Sequence, residues 1–111
     1  MLRTLLTAGA GLMLAAGLGL AGQISGRLTD ANRPLPEGVR VAVNCGGDVR
    51  ETATDRFGSY RVYHPRAGEC TMEVRYGPRP AIAPVVSYAE PVTFDFELVR
   101  NRDGSYQLRR R

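Results

Sequence analysis

Lysine is absent from this chain, histidine occurs once and cysteine twice. Two cysteines and one histidine without close spacing make a poor zinc ligand set. No dense acidic loop offers calcium its six to eight oxygens, so Asp55 with Asp48 or Asp30 is not read as a metal site. No CxxC pair is present to support redox chemistry. His64 stands before Pro65 at the end of a strand-like run and is expected at the surface. A Ser–His–acid triad would need it beside Ser25, Ser59, Ser87 or Ser105, and none of these lies in a nucleophile-elbow context. The residues therefore assign no catalytic group, no metal and no cofactor.

Long apolar runs are scarce too. Leu5 to Leu20 is uncharged but only sixteen residues long, short for a bilayer span. Gly9, Gly11, Gly17 and Gly19 dilute it further. It follows a short segment carrying Arg3 and ends at Gly19-Leu20-Ala21, small residues at the two positions a signal peptidase reads. This is the plan of a secretory signal peptide over residues 1–21, cleaved after Ala21. No cysteine follows that could carry a lipid, so no membrane anchor is expected after cleavage. The 111 residues then leave roughly 90 for one domain, residues 22–111. That length buries one modest core and excludes a Rossmann domain or a barrel enzyme.

All fifteen basic residues are arginine, against eleven acids, for a net charge of +4. The missing lysine reads as genome composition rather than a binding need. Outside the leader the surplus sits in Arg109, Arg110 and Arg111, while residues 22–108 balance. A three-residue tail is not the basic face that nucleic acid requires, so nucleic acid is excluded as a partner. The tail itself is expected to be a loose, solvated end. The alternative is a tether to anionic envelope surfaces or an acidic partner.

What is present is period-two alternation. Val39, Val41 and Val43 alternate with Arg40, Ala42 and Asn44. Tyr60 and Val62 flank Arg61, and Met72, Val74 and Tyr76 alternate with Glu73 and Arg75. Val92, Phe94, Phe96 and Leu98 alternate with Thr93, Asp95 and Glu97, which places the two acids on a solvent face. Such runs are half-buried strands. Turn signals separate them at Asn32–Gly38, Cys45–Asp48, Asp55–Gly58, Pro65–Gly68 and Asn101–Gly104. Strands recurring every 8–12 residues predict an all-β sandwich or small barrel. Gly77–Pro84 carries Pro78, Pro80 and Pro84 and is read as a crossover between sheets, with an edge segment or a stiff contact loop as the alternatives.

Two cysteines in an exported chain read as one disulfide, Cys45–Cys70, with two buried free thiols as the alternative. The bridge is expected to tie two strand ends across an Asp55 hairpin and to pin the Gly46-Gly47 loop. In Thr54-Asp55-Arg56-Phe57-Gly58 the Asp55 side chain can accept turn N–H groups and Gly58 can supply a positive φ. Tyr60 then re-enters the sandwich with its ring inward.

The ordered series Ile24–Asp30, Pro34–Val39, Thr54–Tyr60, Ala67–Cys70 and Met72–Val74 resembles the carboxypeptidase regulatory-like domain family over about residues 23–99. The resemblance implies a seven- to eight-stranded antiparallel transthyretin-like β-sandwich, and a non-catalytic role. The same fold hosts hydroxyisourate hydrolases, which carry several histidines and a C-terminal Tyr-Arg-Gly-Ser signature. This chain has one histidine and ends in Tyr106–Arg111 without that signature, so their activity is not carried over. The expected function is that of a periplasmic or secreted binding module for an envelope protein or carbohydrate. Its expected surface combines Tyr63, Tyr76, Tyr88 and the loop around Pro80. The alternative is an assembly component that pairs through the Val85–Tyr88 edge or the terminal hairpin.

Overall fold

The structure, a computed structural model, describes residues 22–111; the expected signal peptide lies outside the described residues. In chain order the strands are β1 (Gln23–Asp30), β2 (Arg33–Pro34), β3 (Arg40–Cys45), β4 (Asp48–Ala53), β5 (Ser59–Tyr63), β6 (Gly68–Val74), β7 (Ala81–Ser87), β8 (Val92–Thr93), β9 (Phe96–Arg100) and β10 (Tyr106–Arg110). β2 and β8 have two residues each, which leaves eight strands of five residues or more. No helix among the described residues is long and apolar enough to cross a membrane.

The strands form two sheets. The smaller has the order β4-β3-β6-β7 and is antiparallel throughout. The larger is built around β1, with β5 and β2 along one side and β8, β9 and then β10 along the other. The pairings of β1 with β8 and β9 are parallel, so this sheet is mixed rather than purely antiparallel. Parallel neighbours require a crossover, and the chain between β1 and β8 supplies one by building the entire small sheet.

The alternation read from the sequence sets the core. Ile24 and Leu28 of β1, Val41 and Val43 of β3, Met72 and Val74 of β6, Tyr60 and Val62 of β5, and Phe96 and Leu98 of β9 all pack inward. Period-two patterning leaves each strand one such face, and joining two faces removes both from water. Cys45 and Cys70 form a disulfide, S–S 2.01 Å, between neighbouring strands β3 and β6. Closing a 25-residue separation stabilises the fold by about 3.5 kcal/mol in the chain-entropy treatment. The bridge also fixes the end of the β3–β4 hairpin, whose two turn residues are Gly46 and Gly47.

Several expectations change. Asp55–Gly58 does not close a hairpin within one sheet: it carries the chain from β4 in the small sheet to β5 in the large one. Residues 75–80 are a hairpin loop between β6 and β7 rather than a crossover, and Pro84 lies inside β7. Proline is tolerated there because β7 is an edge strand, where an N–H need not face a neighbour. The run Val92–Leu98 is broken at Phe94-Asp95 into β8 and β9. The arginine tail is not loose: Arg109 and Arg110 belong to β10 and pair with Glu97 and Phe96 of β9.

Candidate functional site

The break between β8 and β9 shapes the centre of the large sheet. Both segments keep one register against β1, so Phe94 and Asp95 lie opposite Gly26 and Arg27. The Phe94 carbonyl leaves the ladder and packs over Gly26, where an added Cβ would lie 1.9 Å from the Phe94 oxygen. That oxygen accepts a hydrogen bond from the buried Tyr60 hydroxyl at 2.7 Å. Burial first, and then the nearby Asp95 charge, push the Tyr60 phenol well above its ordinary range, so it remains a donor. The Arg27 N–H, deprived of a ladder partner, donates to Asp95 Oδ1 at 2.8 Å. The Phe94 N–H still donates to the Ser25 carbonyl at 2.8 Å, so a tyrosine hydroxyl and an aspartate side chain satisfy the two groups left by one missing rung.

The outward residues of the large sheet form a polar face in rows. Arg61, Ser25 and Thr93 are cross-strand neighbours. The next row runs from Ser59 through Arg27 to Asp95, whose carbonyl accepts the Arg111 N–H at 2.9 Å. Beyond it Thr29 neighbours Glu97, and Glu97 pairs with Arg109 at 2.7 Å. Two clefts open on this face and share Arg27 and Asp95. The larger, about 690 Å³, is bounded also by Ser25, Thr52, Asp55, Ser59 and Arg61. The smaller, about 340 Å³, adds Thr29, Asn32 and Arg111.

The charges in these clefts differ in how fully they are committed. Asp55 Oδ1 accepts the Ser59 and Phe57 N–H groups at 3.0 and 2.8 Å, and these bonds, Ser59 first, hold its carboxyl below the usual range. Gly58 completes the turn at φ 73°, with Leu28 and Leu35 backbone atoms too near for a side chain. Asp95 is tied to the Arg27 backbone. Arg27 and Arg61 form no ion pair among the described residues, as Arg33, Arg56, Arg66, Arg100, Arg102, Arg110 and Arg111 form none, while Arg40, Arg50, Arg75, Arg79 and Arg109 each have an acidic partner; the Arg27 charge contributes a smaller share to holding Asp55 ionised. The clefts therefore offer two uncommitted guanidinium groups beside hydroxyls and partly used carboxylates.

The four expected surface residues do not converge. Tyr63 is on the outer face of the large sheet, 47% exposed, with its hydroxyl donating to Gln23 at 3.1 Å. Tyr88 follows β7 near the disulfide end of the sandwich. Tyr76 and Pro80 belong to the opposite end. Tyr76 is partly buried, tilted against Tyr106 at 5.0 Å, and donates to Asp30 at 3.3 Å. It serves packing rather than an open surface. His64 is also displaced from its expected position: it is 1% exposed, because β5 delivers it inward after Tyr60 and Val62. Its Nε2 lies 2.7 Å from the Asp48 carbonyl, and Nδ1 accepts the Arg66 N–H at 3.1 Å, which fits the neutral Nε2–H tautomer. Among the described residues no cluster of three metal-ligating side chains occurs.

Sequence reasoning missed Gly26, Arg27 and Arg61, and took Arg111 only as part of a loose tail or tether. A glycine inside a strand run is itself a sign of close backbone approach, and Gly26 carried that sign. Exposed Phe57, 55% accessible at the tip of the Asp55 turn with Arg56 5.1 Å over its ring, was missed as well.

No family model matches the chain, and no curated protein sequence matches it. Among solved structures, 5-hydroxyisourate hydrolase of Klebsiella pneumoniae superposes with a TM-score of 0.61 at 16% identity, covering 81% of this chain and 98% of that one. At that identity the likeness establishes a transthyretin-like fold alone. A 9R-lipoxygenase from Cyanothece PCC8801 superposes at 0.42 and 17% identity over 72% of this chain and 16% of that one, too loosely to carry an argument.

Proposed function

We propose that this chain is an exported, non-catalytic binding module, akin to carboxypeptidase regulatory-like domains, that recognises an envelope protein or glycan with the outer face of its large sheet. The observation that carries this reading is the pair of adjoining polar clefts in which Arg27 and Arg61 lack acidic partners. Guanidinium groups without an acidic partner beside a cleft are available to a ligand at little desolvation cost. The leader pattern and the buried disulfide support export to the periplasm or beyond. The hydrolase likeness does not bring an activity with it. The single histidine has both nitrogens engaged in backbone contacts, on the side of the sandwich where β5 ends, away from Arg27 and Asp95. Edge pairing is the weaker alternative, because β7 carries Pro84 and β10 carries Arg109 and Arg110, features that discourage strand addition.

Affinity capture from an envelope extract tests the choice, using the exported protein beside an Arg27→Gln/Arg61→Gln variant and a Gln107→Pro variant of the β10 edge. Retained material that is lost with the arginine pair and kept with the proline supports the reading. Retention lost only with the proline overturns it in favour of edge pairing.

A further inference from the structure

We infer that the ligand of this face is an oligosaccharide bearing carboxylates, a uronic-acid chain, held across the two clefts by Arg27 and Arg61 and stacked on Phe57 and Tyr63. The inference rests on the binding-module reading above and specifies its ligand.

The residue types decide between sugar and peptide. Strand addition would use the free side of β4 or β5, which border the larger cleft, but it pairs backbone with backbone and does not call on Arg27, one strand in on β1. A peptide bound through its side chains needs apolar pockets, and the lining here is arginine, aspartate, serine and threonine. Carbohydrate asks for the reverse: many donors and acceptors in alternation, with an aromatic plane at the margin for the C–H face of a ring. Phe57 and Tyr63 provide such planes. Neither lines a cleft itself; Phe57 stands two residues before the lining residue Ser59 and Tyr63 two residues after the lining residue Arg61, and they are 55% and 47% exposed. Tyr63 is also oriented, through its hydroxyl bond to Gln23.

Charge then selects among sugars. Arg27, Arg61 and Arg111 face Asp55 and Asp95 across the joined clefts, an excess of one cation. Both carboxylates already accept backbone N–H groups, whereas the Arg27 and Arg61 forks have no acidic partner among the described residues. A guanidinium fork matches a carboxylate through two parallel hydrogen bonds. On a sheet, Arg27 and Arg61 are diagonal neighbours, since Ser25 opposes Arg61 and Ser59 opposes Arg27. That places their Cα atoms about 7 Å apart, near enough for two long side chains to bring their forks to neighbouring carboxylates of one chain.

The test is calorimetric titration of the exported protein at low salt with the tetramers of galacturonate, mannuronate and guluronate, each beside its methyl ester. At least one free acid should bind saturably and its ester on the order of tenfold more weakly, the size expected for charge-assisted bonds. Arg27→Gln and Arg61→Gln should each weaken binding about tenfold or more, and Phe57→Ala or Tyr63→Ala severalfold, with thermal unfolding unchanged. Esters binding as tightly as acids, affinity insensitive to the arginines, or no binding by any tetramer would each overturn the inference. If none binds while captured envelope material is still lost with the arginine pair, only the ligand class is wrong. If that capture also fails, the binding reading falls with it.

Discussion

Gly26 is the position on which the geometry of the large sheet depends most. Its missing side chain lets the Phe94 carbonyl cross β1 and reach the Tyr60 hydroxyl. Gly26→Ala places a Cβ against a backbone oxygen that cannot retreat without losing that bond. It should cost about 3 kcal/mol or more, above the usual range for an overpacked methyl. Tyr60→Phe removes only the hydroxyl and should cost about 1–2 kcal/mol. Urea unfolding of the two variants checks the order, and equal costs would mean that the Phe94 carbonyl relaxes freely. A glycine inside a strand run was a sign left unread, and it could not have named the neighbour, which is 68 residues away in the chain.

At the scale of elements, the Asp55 turn is the corner that positions β5, and hence Arg61, beside β1. Its aspartate is held ionised by the Ser59 and Phe57 N–H groups. A carboxyl with a folded-state pKa below its unfolded value contributes stability that is complete above the unfolded value, near 3.8, and is lost as pH falls through the folded one. Asp48, through Arg50, and Glu51, through Arg40, shift in the same direction. Stability should therefore decline on acidification below about pH 4, and Asp55→Ala should flatten part of that decline while lowering stability at neutral pH. Thermal melts from pH 7 to pH 2.5 measure both, and an unaltered acid limb would show that the turn bonds contribute nothing. The turn was legible in the sequence because its chemistry is local. Its role as a corner between sheets was not, since alternation reports which face is buried and not which sheet a strand joins. The same limit explains Phe94-Asp95: the pattern through Leu98 is unbroken, and only the pairing with Gly26 and Arg27 interrupts the strand. His64 was misplaced because a single residue before a proline carries no periodic signal, although it continues the inward series of Tyr60 and Val62. The arginine tail was misread for a related reason, since its partners Glu97 and Phe94 become neighbours only when β10 folds back on β9. Arg109 then pairs with Glu97, and the Arg110 guanidinium lies 4.3 Å over the Phe94 ring.

For the molecule as a whole, the division of labour is between the faces of two sheets. The inner faces and the disulfide hold the fold. The outer face of the small sheet commits its arginines to acids, in the Arg40–Glu51–Arg75–Glu73 group. The outer face of the large sheet leaves Arg27 and Arg61 unpaired beside two clefts, and that asymmetry is the basis for assigning function. Tyr63 was the one expected surface residue that belongs to this face; the arginines were hidden in the sequence because a strand's polar alternates all look like solvent-facing residues until their partners are known. The most direct measurement is amide chemical-shift mapping of the labelled exported protein as envelope extract is added. The account predicts perturbations centred on Ser25, Arg27, Thr29, Ser59 and Arg61, with β7 unaffected. Shifts confined to Ile82–Tyr88 or to the β10 edge would contradict it and move the binding surface to the other side of the molecule or to its rim.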